Sequence, residues 1–254
     1  MQQSKKKIWI TGASSGIGKA LAIKFANEGW QVAASARRVN LLKDLNKNNL
    51  NIHPFPLDVR DETIVKKVFR EIIENFQNLD ICVFCTGIFS PESEKKLSLE
   101  KIRKIMETNF FGTLNCIVGV ADHFKEKQNG HISIVASVAG YRGLPVAGGY
   151  CASKAALINL TESLYFDFKR YNVRVSLINP GFVKTPLTDQ NKFPMPMIKS
   201  PKYAAEKIFT GLTKKNTFEI HFPIAFTMIM KLIRIMPNWM FFLLMKKGIK
   251  SVKY

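Results

Sequence analysis

The chain has 254 residues, 46% of them hydrophobic, which suits one domain of the larger α/β kind. Its formal net charge is +19. Lys and Arg are nevertheless spread along the chain, with no aromatic-interleaved strand motif and no recognition-helix pattern, which argues against nucleic acid as a partner. Lys5, Lys6 and Lys7 run straight into an apolar stretch, so no secretory signal is read. Four cysteines without secretory context point to a reducing, cytoplasmic setting. His53, His123, His131 and His221 are dispersed without metal-ligand spacing, so no metal is expected.

The first predicted strand covers Lys7 to Thr11. It runs into Thr11-Gly12-Ala13-Ser14-Ser15-Gly16-Ile17-Gly18 and then an amphipathic helix over Ala20 to Glu28. Strand, glycine turn and helix in that order let backbone N–H groups and a helix N-terminus hold a pyrophosphate. The pattern GxxxGxG differs from the usual dinucleotide GxGxxG. A Walker A loop also fails: Gly12 to Lys19 is one residue too long, and Ala20 stands where Ser or Thr would hold magnesium.

The second strand, Gln31 to Ala36, ends at Arg37-Arg38 and lacks the acidic residue that bonds a ribose 2′-hydroxyl in NAD-binding folds. Arginine matches a phosphate in a bidentate fork, so the 2′-phosphate of NADP is the expected partner and NAD the less favoured one. Arg37 is the first choice, with Arg38 stacking or helping and Ser14 adding a hydroxyl. The alternative is a solvated pair at a helix entrance.

A strand over Asn51 to Phe55 leads to Leu57-Asp58-Val59 and a helix over Asp61 to Phe76, with Asp58 a candidate N-cap. A strand over Asp80 to Phe84 carries Cys82. Cys82 and Cys85 face opposite sides of an extended chain, so they are read as core cysteines rather than a redox pair. A helix spans Leu99 to Lys125, and a buried strand spans His131 to Ala136. Ser137 follows that strand, Tyr150 comes thirteen residues later and Lys154 four after that, with helical apolar spacing over Ala152 to Lys169. Residues i and i+4 share a helix face, so Tyr150 and Lys154 point the same way. An ammonium beside a phenol lowers its pKa, and a phenol so tuned can protonate a nascent alkoxide. Strands over Arg174 to Ile178 and Phe218 to His221 complete the chain. The alternation predicts a Rossmann-like, doubly wound parallel sheet of about seven strands, with helices on both faces.

These pieces together resemble the short-chain dehydrogenase/reductase family over nearly the whole length. The matching residues are TGASSGIG (Thr11 to Gly18), Leu57-Asp58-Val59, Thr108-Asn109-Phe110-Phe111-Gly112, Ser137, YCASK (Tyr150 to Lys154), and Pro180-Gly181 with Thr185. One departure is Cys85-Thr86-Gly87, which stands where the family carries asparagine-alanine-glycine and so lacks the bracing asparagine.

The resemblance implies hydride transfer between nicotinamide and a carbonyl or secondary alcohol. Tyr150 would be the general acid/base. Lys154 would lower its pKa and hold the nicotinamide ribose, and Ser137 would orient the substrate oxygen. Asn109 would anchor a water that relays protons to Lys154. Gly12, Ser14, Ser15, Gly16, Ile17, Gly18, Asp58, Val59, Gly87, Pro180, Gly181, Val183 and Thr185 would contact the cofactor, Asp58 at the adenine and Thr185 at the carboxamide. The irregular stretch Pro186 to Lys199 resembles a substrate lid, the alternative being a surface loop. Tyr141 and Leu144, with Pro145 and Val146, are expected to line an apolar substrate pocket. That favours a hydrophobic ketone or an acyl or lipid-like substrate. The helices Leu99 to Lys125 and Ala152 to Lys169 would form a homodimer or homotetramer face.

The segment 222–254 is read as a helical extension of the domain at 1–221. From Lys199 to Tyr254 there are 11 Lys+Arg and 2 Asp+Glu. Phe222 to Met245 is strongly apolar, but Lys231 and Arg234 interrupt it and Pro237 splits it. Its longest uncharged runs are 11 residues, short of the ~20 a spanning helix needs. Two helices broken at Pro237 suit either peripheral contact with an anionic membrane or packing on the domain or a second copy.

Overall fold

In a computed structural model, residues 5–91, 97–191, 193–215 and 217–250 are described. The strands are β1 (Lys7–Thr11), β2 (Gln31–Ser35), β3 (Ile52–Pro54), β4 (Ile81–Phe84), β5 (Gly130–Val135), β6 (Val173–Pro180) and β7 (Glu219–Phe222). They form one sheet in the order β3-β2-β1-β4-β5-β6-β7, and every pair is parallel. β1 sits between β2 and β4, so successive crossovers leave it in opposite directions. The crevice at the carboxyl ends of β1 and β4 is therefore the topological switch point, where open α/β sheets bind ligands.

The alternation of side chains along β1 builds both faces. Trp9 packs on one side with Ala33 and Cys82, and Ile8 and Ile10 pack on the other with Val32, Ala34 and Val83. The Trp9 side is covered by α3 (Glu62–Phe76), α5 (Gly112–Lys127) and α6 (Gly148–Lys169), through residues such as Val65, Ile72, Val120, Phe124 and Leu157. The Ile8 side is covered by α1 (Gly16–Asn27), α2 (Val39–Asn48) and α7 (Pro201–Thr213), through Leu21, Phe25, Leu42, Ile208 and Leu212.

Several boundaries differ from the sequence expectation. The helix expected from Ala20 begins at Gly16, because its first turn is the glycine motif itself. The helix expected over Leu99 to Lys125 is three pieces: α4 (Leu99–Met106), a π-helical turn (Glu107–Phe111) and α5. Asp61, not Asp58, caps α3, its carboxylate accepting from the Ile64 N–H at 3.0 Å. The helix α6 starts at Gly148, so Tyr150 lies in its first turn. Beyond β7 the chain forms α8 (Ile224–Ile235) and α9 (Asn238–Lys250), separated at Met236 and Pro237.

Candidate active site

A cleft of about 400 Å³ opens at the switch point. Its floor is the turn between β1 and α1. Gly12 and Gly16 have φ of +71° and +56°, a region that L side chains rarely adopt. A Cβ on Gly18 would lie 2.4 Å from the Gly12 carbonyl oxygen, so only glycine lets α1 start this close to the strand. The N-cap residue of α1, Ser15, makes no side-chain cap bond, and the first turn carries no acidic residue. Such a helix start, lined by Ser14, Ser15, Gly16, Ile17 and Gly18, suits a pyrophosphate.

The wall beside β2 carries Arg37 and Arg38. Arg38 donates to the Ser14 Oγ from Nε (3.1 Å) and Nη2 (2.8 Å), and to the Ser15 Oγ at 2.7 Å. Both arginines are exposed, and Arg38 is held against the glycine turn. Asp58 also lines the cleft, but its carboxylate is tied to Arg60, which holds it below the usual carboxylate range.

The opposite wall carries Ser137, Tyr150 and Lys154. The Ser137 hydroxyl opposes the rise of the Tyr150 pKa, and the Phe89 ring meets the tyrosine ring edge-on at 5.3 Å. Lys154 lies one helical turn further on, with its Nζ 5.7 Å from the centre of the Tyr150 ring. It donates to the Val135 carbonyl at 2.9 Å. Burial pushes Tyr150 up to about 12 despite the Ser137 hydroxyl. Burial likewise brings Lys154 down to about 8.

Asn109 does not line the cleft. It is fully buried in the π-helical turn behind the wall. Its Oδ1 accepts from the Ile88 N–H at 2.8 Å, and its Nδ2 donates to the Ile88 carbonyl at 3.0 Å and to the Ser153 Oγ at 3.1 Å. A Cβ on Gly87 would lie 3.6 Å from both the Asn109 Oδ1 and the Lys154 Nζ. Asn109 thus sits where the wall meets Lys154, and its amide is spent on backbone.

The departure at Cys85 has a local remedy. The Thr11 Oγ1 accepts from the N–H groups of Cys85 (3.1 Å) and Thr86 (3.4 Å), so the turn after β4 is braced from β1 as well as by Asn109. Burial raises the Cys85 thiol to about 11, against the pull of Lys154 and of the Gly18 N–H. It is a neutral filler of the cleft floor.

Tyr141 and Leu144, expected in the substrate pocket, lie outside the cleft. The Tyr141 hydroxyl turns inward to the Glu219 carboxylate, and Leu144 packs on the core. The loop after β6 does reach the cleft, through Pro180, Gly181, Val183, Thr185, Pro186 and Leu187. Thr188 fixes that loop by donating to the Val183 carbonyl at 2.7 Å and accepting from the Thr185 N–H at 2.9 Å. Ile88 and Phe89 on the cleft carry no periodic or motif signal of their own, whereas Thr108 and Ser153 fall within the quoted motifs and Thr188 and Gln190 within the stretch Pro186 to Lys199.

A parallel sheet with a glycine-rich helix start and a Ser–Tyr–Lys wall defines a nucleotide-binding α/β oxidoreductase. The chain belongs to the short-chain dehydrogenase family, whose model matches residues 6–194. An uncharacterized oxidoreductase of Myxococcus xanthus is 33% identical over 244 residues, 94% of this chain and 96% of that protein. Among solved structures, ElxO with NADP bound superposes with a TM-score of 0.77 at 26% identity, covering 85% of this chain and 97% of that one. A Burkholderia phymatum short-chain dehydrogenase/reductase in complex with NAD shares the fold, with a TM-score of 0.81 at 22% identity, covering 91% and 94%.

Proposed function

We propose that the protein is an NADP(H)-dependent reductase of a hydrophobic carbonyl compound, or the corresponding alcohol dehydrogenase. The carrying observation is the convergence of Ser137, Tyr150 and Lys154 on the cleft that also holds the glycine turn. Hydride transfer is the chemistry a nicotinamide cofactor supplies when bound. The chain's own part is to place and protonate the substrate. Ser137 orients the carbonyl oxygen, and Tyr150, whose pKa near 12 keeps it protonated at neutral pH, donates its proton to the developing alkoxide. Lys154 would hold the ribose at the foot of Tyr150.

Selection of NADP over NAD rests on Arg38 and Arg37. Arg38 already points at Ser14 and Ser15, so it takes the lead in holding a 2′-phosphate, with Arg37 closing from the rim. The NADP complex of ElxO is consistent with this choice. The apolar side of the cleft, with Ile88, Phe89, Val183 and Leu187, favours a hydrophobic ketone or acyl substrate. Assembly into a homodimer or homotetramer is proposed through α5 and α6, where Val118 and Phe166 are exposed.

Titration with NADPH and NADH by nicotinamide fluorescence, followed by an NADPH-oxidation screen of ketones and acyl thioesters, tests the reading. NADPH preference with turnover of an apolar carbonyl supports it. NADH preference overturns the cofactor assignment, and absence of binding to either overturns the whole.

A further inference from the structure

Of the two charges that interrupt the apolar tail, Lys231 is held on the domain, while Arg234 is exposed beside the Tyr141 ring. Lys231 of α8 is ion-paired with Glu219 at the start of β7. The Arg234 guanidinium lies 5.8 Å from the centre of the Tyr141 ring. Arg142 then ties α9 to α8, donating to the Arg234 carbonyl (3.1 Å) and to the Asn238 Oδ1 (2.6 Å), with its guanidinium 4.5 Å from the Phe241 ring centre.

Around Arg234 the outward face is largely apolar. Ile224, Met228, Ile229, Leu232 and Ile235 of α8 are exposed at helical spacing, and Trp239, Phe242, Leu243 and Leu244 continue the patch on α9. Trp239 is 69% exposed and Ile235 78%. Patches of this kind mark interaction sites.

Charge decides what covers the patch. From Phe222 to Tyr254 there is no Asp or Glu, while Lys231, Arg234, Lys246, Lys247, Lys250 and Lys253 are all basic. A second copy would bring the same wholly basic stretch against itself. An anionic bilayer offers both an apolar interior for the exposed Ile, Leu, Phe and Trp and negative headgroups for the lysines that follow. Among the described residues no helix is long and apolar enough to cross a membrane. The face is therefore one that lies on a surface.

We infer that the outward face of α8 and α9 docks on an anionic lipid bilayer. The opposite, inner side of α8 adjoins the cleft, where a Cβ on Gly181 would lie 2.8 Å from Phe226. Phe226 of α8 packs on Phe182 at 5.4 Å, and Phe182 meets Phe193 of the loop after β6 at 6.1 Å. If the reductase reading holds, a bilayer-dissolved carbonyl compound reaches this mouth directly.

The test uses the full chain with vesicles of phosphatidylcholine alone or mixed with phosphatidylglycerol. The expected result is co-sedimentation with the anionic vesicles only, weakened by salt. Trp9 and Trp30 are buried, so a blue shift of tryptophan emission, with quenching by brominated acyl chains, reports Trp239. Trp239→Phe removes that signal. Leu232→Glu with Phe242→Glu lowers the bound fraction roughly tenfold or more. Should that double variant misfold, the quenching lost in Trp239→Phe still decides. Tyr150→Phe leaves vesicle binding unchanged, which separates this inference from the catalytic one. The inference is overturned if the native chain stays in the supernatant, or binds neutral and anionic vesicles alike. It is also overturned if sedimentation velocity shows a lipid-independent dimer that Leu232→Glu dissolves.

Discussion

The Asn109 side chain brackets both backbone polar groups of Ile88, accepting from its N–H at 2.8 Å and donating to its carbonyl at 3.0 Å. A π-helical turn on one side of the molecule thereby fixes the strand-end loop that carries Gly87 and Phe89 into the cleft. Replacing Asn109 with Ala leaves both groups of Ile88 unpaired, at about 1–3 kcal/mol for each buried group. The expected outcome is a clear drop in the urea midpoint, together with weaker NADPH binding because the Gly87 wall loosens. An unchanged midpoint would remove the bracing role.

Arg38 and Arg37 make separable predictions. Loss of a charge-assisted hydrogen bond costs about 1.5–3 kcal/mol, so Arg38→Ala should weaken NADPH roughly ten- to hundredfold and leave NADH nearly unaffected. Arg37→Ala should have the smaller effect, since Arg37 is exposed and its charge is shared with Asp58. Fluorescence titration with both cofactors measures the ratio; equal losses for NADPH and NADH would show that the arginines do not read the 2′-phosphate.

Tyr150→Phe deletes the phenolic proton while keeping the ring against Phe89. Turnover should fall by about 10²-fold or more, with NADPH affinity within a few-fold of the native value. Single-turnover absorbance at the nicotinamide band makes the comparison.

Lys154 titrates with a definite sign. Burial lowers its pKa from 10.5 to about 8, so between those values the unfolded chain binds more protons than the folded one. Its contribution therefore makes stability rise with pH through that window. Lys154→Met abolishes the contribution. The melting temperature of the variant relative to native should accordingly be highest at pH 7 and decline toward pH 10.5. A constant difference would mean that the ammonium is not desolvated.

Glu219 ties the tail to the sheet through Tyr141, Asn179 and Lys231. Burial pushes its carboxyl up, but those three donors outweigh it and hold the pKa below the ordinary 4.5. A lowered folded pKa contributes stability above that value, and the contribution is lost as pH falls through the folded pKa. Glu219→Gln should flatten this acid-side dependence and speed hydrogen exchange across α8, with little change in β1 to β5. Exchange rates unaltered in α8 would show that the clamp does not hold the helix.

Much of this molecule is written locally. The order of strands and helices, the GxxxGxG turn and the Tyr150–Lys154 spacing follow from side-chain period and backbone freedom, which are properties of neighbouring residues. Hence the alternating α/β sheet, the family and the cleft residues from Gly12 to Thr185 were legible in one dimension. Other features depend on what packs against what, and only the tertiary structure decides those. Tyr141 reads as a pocket residue until β7 brings Glu219 to its hydroxyl. Asn109 reads as the anchor of a water beside Lys154, and the structure adds that both ends of its amide hold Ile88. Arg38 bonds the serines of the glycine turn, a contact that the pair Arg37-Arg38 does not announce in sequence. Lys231 and Arg234 both break an apolar run in sequence, but in space Lys231 is held by Glu219 while Arg234 stays exposed beside the Tyr141 ring. Hydrogen-bond partners and burial are set by residues tens of positions away, and no local pattern encodes them.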